Sequence, residues 1–456
     1  MNSRTVIWIQ ETDQNKPQMC LLEPQTHPEA RMGKQLKFKA KQPFQNWKQG
    51  DSVSGPVQKA GSQLYQCLTS HKAIEYELGV ASVTTNGNKH PIYFYLDPPE
   101  IDELPWETLY DVKMGFLALD ARWPIARLKI PLAQIKLEYE FSPPLRMLAV
   151  LSAPGGNSVA QVPAREEWDS IYEALQAANL EFKLRVFVCE ESLKQHIDSL
   201  NDARVKVDYV IDKYELTQGI VNFAPHLLHF FCHGTADKLP YLQIGNRADW
   251  EVERDGSIIL EANELRQTAD PNQNVWLVTL NCCESAMQAK DARNLASALV
   301  SAGFPSAVGM REPVASIHAH AFCKLFYRGV LELINTAQVG GVPTTIEWAS
   351  ALWKARQKLL DNCAPRKVPA TEAAPNCREW TIPVLYTRRE PFLLRRAQKS
   401  NGMTLPQRLG RLAELDELKR QRDEFAARPD VDPGIRQKIL NEFENEIRRI
   451  EDELKN

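Results

Sequence analysis

The sequence predicts an α/β protein with a mainly parallel sheet, helices on both faces of the sheet, and a C-terminal helical hairpin. From about residue 145, apolar runs of strand length alternate with amphipathic helical stretches, a rhythm typical of parallel strands joined by crossover helices. Two of these runs, 227–231 and 275–280, are almost entirely apolar, as expected of strands buried on both faces. In the tail, apolar residues recur at helical spacing on either side of a break at 429–434, which predicts two antiparallel helices.

The first part of the chain carries fewer secondary-structure signals. Residues 5–9 (TVIWI) predict a strand, and residues 35–39 (QLKFK) predict a weaker one. Apolar residues at nearly helical spacing over 55–78 predict a helix, and residues 91–96 (PIYFYL) predict a short buried strand. We therefore expect residues 1–54 to form an N-terminal segment that contains β-structure.

The alternation of strands and helices continues to about residue 390. We predict strands at 145–152, 182–188, 306–309 and 380–386, helices at 163–178, 208–223, 292–302, 317–334 and 344–360, and a short hairpin excursion at 242–265. Pro383 lies in the last of these strands and lacks a backbone N–H, so an edge position in the sheet would suit that strand.

Composition excludes several classes of protein. The 456 residues carry a net charge of −3, so the chain has no basic field for direct nucleic-acid binding. No stretch reaches the roughly 18 uninterrupted apolar residues of a membrane span, and the N-terminus lacks the apolar core of a signal peptide. Nine cysteines are too dilute for a disulfide framework. We therefore expect a cytoplasmic protein with reduced thiols and no membrane contact.

Reactive residues follow two of the apolar runs. His233 and then Gly234 end the first run, and Cys283 follows Cys282 at the end of the second, fifty residues later. Because parallel strands bring their carboxyl ends to one edge of the sheet, a base and a thiol are predicted to meet there. This is the arrangement of a cysteine nucleophile with a histidine partner.

Of the two adjacent cysteines, Cys283 is the predicted nucleophile. Successive side chains of a strand point to opposite faces, so only one of the two thiols can face His233. Cys283 stands at the turn into the next helix, whose positive N-terminal end would lower the pKa of the thiol. His233 would take the thiol proton and later protonate the leaving amine. The backbone N–H groups of Gly234 and Cys283 are candidate oxyanion donors.

Two other interpretations of these residues remain open. A cysteine in an apolar strand is usually a core residue rather than a catalyst. Alternatively, the histidines and cysteines around the two strand ends have the chemistry of zinc ligands. The residues concerned are His229, Cys232, His233, Cys282 and Cys283. Strand alternation places His229 and His233 on one face and Cys232 on the other, which argues against a closed metal site. We expect no metal and no cofactor.

Several ordered motifs resemble the CHAT family, a bacterial branch of the caspase-like peptidases. The segments that resemble family motifs are 104–109 (LPWETL), 280–286 (LNCCESA), 303–309 (GFPSAVG), 321–329 (AFCKLFYRG) and 351–356 (ALWKAR). A His-Gly followed about fifty residues later by a cysteine is also the caspase arrangement. The resemblance implies a caspase-like catalytic domain over 145–398, preceded by a pseudo-caspase-like N-terminal half of the CHAT region over 55–144.

The resemblance also implies roles for individual residues. His233 and Cys283 become the peptidase dyad, with Gly234 near the oxyanion. The family usually has alanine where this chain has Cys282. The residue two positions before the nucleophile lines the pocket for the substrate side chain that precedes the cut, and here it is Asn281, with Asp237 and Asp291 as further candidate pocket residues.

The predicted function is therefore a cysteine endopeptidase that cleaves a protein substrate. The resemblance implies a protease of a bacterial defence system that an activating or sensor protein switches on. The charged helical tail, 403–456, is a candidate docking element for that partner. The alternative is a catalytically silent CHAT-fold scaffold that acts through its helical tail.

Overall fold

A computed structural model gives the fold of most of the chain. It describes residues 4–11, 16–36, 55–83, 88–97, 99–131, 135–156, 160–236, 240–270, 274–281, 292–312, 315–337, 341–364, 368–397, 405–427 and 433–455. These residues belong to two compact units, Met1–Arg395 and Arg396–Asn456.

The strands are numbered in chain order. They are β1 Thr5–Glu11, β2 Pro17–Glu23, β3 Lys34–Gln35, β4 Ile92–Leu96, β5 Tyr110–Asp111, β6 Gly115–Phe116, β7 Ile125–Lys129, β8 Glu138–Phe141, β9 Leu145–Leu151, β10 Phe182–Val188, β11 Val205–Tyr209, β12 Leu227–Phe231, β13 His233–Ala236, β14 Pro240–Ile244, β15 Ile258–Glu261, β16 Leu277–Leu280, β17 Ser306–Met310, β18 Thr344–Thr345, β19 Pro383–Arg388 and β20 Leu393–Arg396.

The α-helices are numbered in the same way. They are α1 Pro56–Thr69, α2 Lys72–Val83, α3 Pro99–Asp102, α4 Arg165–Ala177, α5 Glu191–Ser199, α6 Lys213–Phe223, α7 Arg247–Glu251, α8 Ala262–Thr268, α9 Ala292–Ser301, α10 Ser316–Asn335, α11 Leu352–Cys363, α12 Ala370–Ala373, α13 Leu405–Ala426 and α14 Pro433–Lys455. Short 3₁₀ turns occur at Trp106–Thr108, Leu117–Leu119, Trp348–Ala351 and Glu379–Thr381.

Twelve of the described strands form one large sheet, in the order β11-β10-β9-β12-β16-β17-β19-β7-β4-β1-β2-β3. The other eight form three small sheets, β13-β14-β15, β18-β20-β8 and β5-β6. From β11 to β17 all neighbours run parallel, and so do β19, β7, β4 and β1. The two parallel groups meet at the antiparallel pair β17–β19. The predicted mainly parallel α/β sheet is therefore confirmed, and the N-terminal strands β1–β3 belong to it.

Helices cover both faces of this sheet, as predicted. Along β12 the buried side chains alternate, because successive residues of a strand point to opposite faces. Leu227 and Phe231 pack in one core together with residues of α4 and α10. Leu228 and Phe230 pack in a second core together with residues of α6, α8 and α9. Central strands that are buried on both faces require the nearly continuous apolar runs seen in the sequence.

Four of the predicted elements are corrected by the structure. The helix predicted over 55–78 is two helices, α1 and α2, separated at residues 70–71. The helix predicted over 208–223 begins only at Lys213, because residues 205–209 form the edge strand β11. The helix predicted over 344–360 begins at Leu352 after a two-residue strand and a 3₁₀ turn.

The fourth correction concerns the position of Pro383. Strand β19, which begins at Pro383, lies inside the sheet between β17 and β7 rather than at an edge. Pro383 is the first residue of the strand, opposite Met310, and this end position tolerates a residue without an N–H.

The C-terminal unit is the predicted antiparallel helical hairpin. Leu415 of α13 packs with Ile447 and Ile450 of α14 in a small buried core. Lys419 also lies 2.8 Å from Glu451 across the pair. The three residues of this core, with the partly buried Leu418, form the described part of the seam between the two helices, whereas Leu412 is 42% exposed.

Two further features concern cysteine chemistry and membranes. A disulfide, which the cysteine count did not predict, joins Cys363 and Cys377. The described free cysteines, Cys20, Cys67, Cys189, Cys232 and Cys323, are all buried. None of the helices within the described ranges is both long enough and apolar enough to cross a membrane.

Candidate active site

His233 lies directly beyond the carboxyl end of the central strand β12 and begins β13. Its side chain is 1% exposed, and its Nε2 lies 2.5 Å from the carbonyl oxygen of Pro154. A carbonyl only accepts hydrogen bonds, so Nε2 must carry the proton in the neutral imidazole. The remaining nitrogen, Nδ1, then presents a lone pair. Among the described residues this buried Nδ1 has no hydrogen-bond partner.

Burial sets the protonation state of His233. Loss of solvation lowers the pKa of His233, while the bond to Pro154 and the charge of Asp255 act weakly in the opposite direction. The imidazole is therefore neutral near neutral pH, with an unprotonated Nδ1. This is the state that a general base requires.

Gly234 and Asn281 extend the two strand ends on either side of the site. Gly234 is buried in β13, opposite Leu242 of β14. Asn281 follows β16, and its main-chain N–H donates to the carbonyl of Phe230 at 2.9 Å. The parallel pairing of β12 with β16 thus continues to Asn281, which brings the chain leading to His233 and the chain leading to residue 283 side by side.

Four residues of the prediction lie outside the described residues. They are the predicted nucleophile Cys283, its neighbour Cys282 and the candidate pocket residues Asp237 and Asp291. The roles of Cys283, Asp237 and Asp291 therefore stay predictions, as does the oxyanion role of the Cys283 N–H.

The Asn281 side chain is fully buried and held by two acceptors. Its Nδ2 donates to Oε1 of Glu167 at 2.7 Å and to the carbonyl of Ala319 at 3.0 Å. Its Oδ1 has no hydrogen-bond partner among the described residues. Since both partners of Nδ2 accept only, the orientation of the amide group is fixed and its free atom is an acceptor.

Glu167 is the centre of a buried polar cluster that was not predicted from the sequence. It lies in the first turn of α4 with no exposed surface, and His229 and His320 approach its two oxygens. Nε2 of His229 lies 3.0 Å from Oε1, and Nδ1 of His320 lies 2.7 Å from Oε2. On its other side, Nδ1 of His229 meets the hydroxyl of Tyr327 at 3.0 Å.

The sequence held a partial signal for this cluster. Glu167 stands four residues before Ile171, on the buried stripe of α4, where a carboxylate needs partners. His320, Cys323 and Tyr327 share one face of α10 at spacings of three and four. The Pro154 contact carried no signal, because any residue offers a backbone carbonyl.

Two groups of described residues have donor atoms close enough to share a metal ion. The first is Glu167, His229 and Cys323, and the second is Cys363, Cys377 and Glu379. In the first group the carboxylate oxygens already receive protein hydrogen bonds. In the second group the two sulfurs are joined in the disulfide.

The zinc ligands considered from the sequence differ from both of these groups. They were His229, Cys232, His233, Cys282 and Cys283. His229 of that set contacts Glu167 and Tyr327, on the face of β12 that carries α4 and α10. Cys232 is buried in the core on the opposite face. These two members of the predicted set therefore do not converge.

Comparison with known proteins places the chain in a family. Residues 58–388 match the CHAT domain, so the chain belongs to the CHAT-domain family, as its motifs predicted. No curated protein sequence matches the chain.

Among solved structures, the chain is similar to separase in the Saccharomyces cerevisiae separase–securin complex, with a TM-score of 0.34 and 13% identity. That match covers 74% of this chain but only 17% of the separase chain. The chain is also similar to the complex of Porphyromonas gingivalis RgpB pro- and mature domains, with a TM-score of 0.37, 11% identity and coverage of 74% and 75%. For the Arg-specific cysteine proteinase gingipain R (RgpB), the TM-score is 0.35, the identity 11%, and the coverage 74% and 68%.

Proposed function

We propose that this chain is a caspase-like cysteine endopeptidase with Cys283 as nucleophile and His233 as general base and acid. The observation that carries the proposal is the state of His233. It is buried at a strand end, its Nε2 proton is used by Pro154, and its Nδ1 lone pair has no partner among the described residues. This nitrogen supports the proposal because a general base needs a lone pair that can accept the proton of the nucleophile.

The proposed reaction follows from these two residues. Nδ1 of His233 removes the proton from the Cys283 thiol, and the sulfur attacks the peptide carbonyl carbon. The N–H groups of Gly234 and Cys283 stabilise the oxyanion of the tetrahedral intermediate. His233 then gives its proton to the departing amine, which leaves a thioester on the sulfur. Water, deprotonated by His233, hydrolyses the thioester and regenerates the thiol.

The substrate pocket is proposed to be lined by Asn281, Asp237 and Asp291. The amide nitrogen of Asn281 is held by Glu167 and Ala319, and its buried Oδ1 has no hydrogen-bond partner among the described residues. An acceptor oxygen at the pocket wall favours a substrate side chain that carries hydrogen-bond donors before the cleaved bond.

Regulation is proposed to come from another protein, in keeping with the defence role that the family resemblance implies. The hairpin formed by α13 and α14 is a compact unit distinct from the unit that carries His233. Among its described side chains, Glu414, Glu417, Arg420 and Glu442 are exposed and charged, and such groups can orient a partner of complementary charge.

The experiment that tests this function is cleavage of a proteome-derived peptide library by purified chains. We expect wild type and Cys282→Ala, the matched control one residue away, to cut the library, and Cys283→Ala to cut nothing. Undiminished cleavage by Cys283→Ala would refute the assignment. No cleavage by any of the three chains, together with labelling of Cys283 by iodoacetamide no faster than that of the other thiols, would favour the scaffold alternative.

A further inference from the structure

We propose that Glu167 is a positioning residue of the peptidase site and that it acts by holding Asn281. Asn281 lies two positions before the predicted nucleophile, so this inference rests on the function proposed above. The carboxylate joins three elements around the end of β16. It belongs to α4, it accepts from Asn281 at 2.7 Å, and it accepts from His320 of α10 at 2.7 Å.

Both the main chain and the side chain of Asn281 are held by hydrogen bonds. Its main-chain N–H donates to Phe230 of β12, and its side-chain nitrogen donates to Glu167 of α4 and to the carbonyl of Ala319 of α10. Three hydrogen bonds to three separate elements leave this residue little freedom. The chain that continues to Cys283 therefore starts from a fixed point, and reacting groups must be placed within a fraction of an ångström to react efficiently.

The charge of Glu167 strengthens this hold. Burial alone would raise the pKa of Glu167, but the hydrogen bonds and charges of His229 and His320 lower it to about 2. The group is therefore an ionised carboxylate at every pH at which the protein would work. Hydrogen bonds to an ionised acceptor are roughly twice as strong as those between neutral groups.

The cluster occupies the layer between the sheet and the helices α4 and α10. His229 and Asn281 come from neighbouring strands, and His320 comes from the helix packed over them. The thiol of Cys323 is a further hydrogen-bond donor beside this carboxylate. Burial, and then the charge of Glu167, raise the pKa of Cys323 well above its usual value. Loss of this carboxylate would remove one of the three hydrogen bonds that hold Asn281 and would loosen the position of its side chain.

The test measures the reactivity of Cys283 without any substrate or partner. The rate of alkylation of Cys283 by iodoacetamide is followed by mass spectrometry between pH 5 and 9 in wild type, Glu167→Gln, Asn281→Leu and Glu173→Gln. Glu173 is the matched control, because it lies on the same helix, its side chain is 53% exposed, and it pairs with Lys324 rather than with a residue of the cluster. Thermal unfolding of each chain establishes that it is folded.

We expect Glu167→Gln and Asn281→Leu to lower the alkylation rate of Cys283 at pH 7 by about ten-fold, because the thiol loses its alignment with His233. For the same reason, the apparent pKa of the Cys283 thiol should rise towards about 8.5. Glu173→Gln should match wild type. In the Asn281→Leu background, Glu167→Gln should have no further effect, since it acts through Asn281, whereas independent structural effects would add.

Two results would overturn the positioning role. The first is a pH profile of Cys283 alkylation that is the same as in wild type in the folded Glu167→Gln or Asn281→Leu chain. If Glu167→Gln does not fold, the result for Asn281→Leu decides. The second is one equivalent of zinc in the purified wild type that is lost with Glu167→Gln, which would make the carboxylate a metal ligand. A wild-type Cys283 that reacts no faster than the buried thiols would instead count against the proposed peptidase itself.

Discussion

At the scale of single residues, the two halves of the candidate dyad differ in how far the sequence could predict them. His233 was identified from its place after an apolar run, and in the structure its Nδ1 has no hydrogen-bond partner among the described residues. The tautomer could not be predicted, because Pro154, which sets it, is 79 residues away in the sequence and contributes only a backbone carbonyl. Glu167, which is fully buried at the centre of a cluster, was not among the predicted site residues.

Burial of a second histidine has a consequence for stability in acid. His226 stacks on Trp276 with ring centroids 4.3 Å apart, and its Nδ1 accepts the N–H of Arg146 at 3.0 Å. Burial, and then the charge of Arg146, lower the pKa of His226 to about 3. In the unfolded chain the same ring takes up a proton near pH 6.5, so falling pH favours the unfolded state between these two values.

We predict that the free energy of unfolding falls by about 2–3 kcal/mol more in wild type than in His226→Asn between pH 6.5 and pH 4.5. Asparagine retains an acceptor for Arg146 but does not titrate. Denaturant unfolding at a series of pH values measures the difference. Parallel curves for the two chains would show that His226 does not contribute to the acid dependence.

At the scale of elements, the sequence predicted the strands and helices best where the apolar pattern was unbroken. The strand predicted over 182–188 has the same limits in the structure, and α10 extends only one residue beyond each end of its predicted range. The predictions failed where an element borders the sheet edge or a tight turn. Strand β11 is an edge strand with polar residues among its valines, so its pattern merged with the helix that follows.

The segment 104–109, identified as a family motif, has a clear structural role. Trp106 is fully buried against Phe94 with ring centroids 4.7 Å apart. Glu107, also buried, accepts two hydrogen bonds from Arg127 of strand β7, at 2.7 and 3.1 Å. The segment therefore fastens the chain onto the neighbouring pair of strands, β4 and β7, through one aromatic contact and one buried ion pair.

Without Glu107, the buried Arg127 loses two hydrogen bonds and keeps Asp102, 2.8 Å away, as a carboxylate partner. We predict that Glu107→Ala lowers the free energy of unfolding by about 2–3 kcal/mol. Glu103→Ala, which removes an exposed carboxylate just before this segment, should change it by less than about 0.5 kcal/mol. Equal effects of the two substitutions, measured by denaturant unfolding, would disprove the role given to the Arg127 pair.

At the scale of the whole molecule, the sequence predicted the class of fold but not the extent of the sheet. The βαβ rhythm after residue 145 indicated the parallel strands, and those strands are present. Nothing in residues 5–23 showed that β1 and β2 would join the same sheet, because β1 pairs with β4, more than eighty residues away in the sequence. Long-range pairing of this kind depends on tertiary packing rather than on local pattern.

The division into two compact units leads to a prediction for truncation. A chain that ends at residue 402 keeps the whole unit Met1–Arg395 and loses only the helices α13 and α14. We predict that its thermal unfolding midpoint differs from that of the main transition of the full chain by no more than about 2 °C. A shortened chain that is unfolded or aggregated would mean that the hairpin is part of the fold of the larger unit.

The central claim is that His233 activates Cys283, and the alkylation of individual thiols tests it most directly. Iodoacetamide labelling at pH 7, resolved by mass spectrometry, gives a rate for Cys283 and for each buried free cysteine in wild type, His233→Ala and the control His196→Ala. We predict that Cys283 reacts at least about ten-fold faster than any other thiol in wild type and His196→Ala, and that His233→Ala removes this advantage. Equal rates at Cys283 with and without His233 would contradict the account.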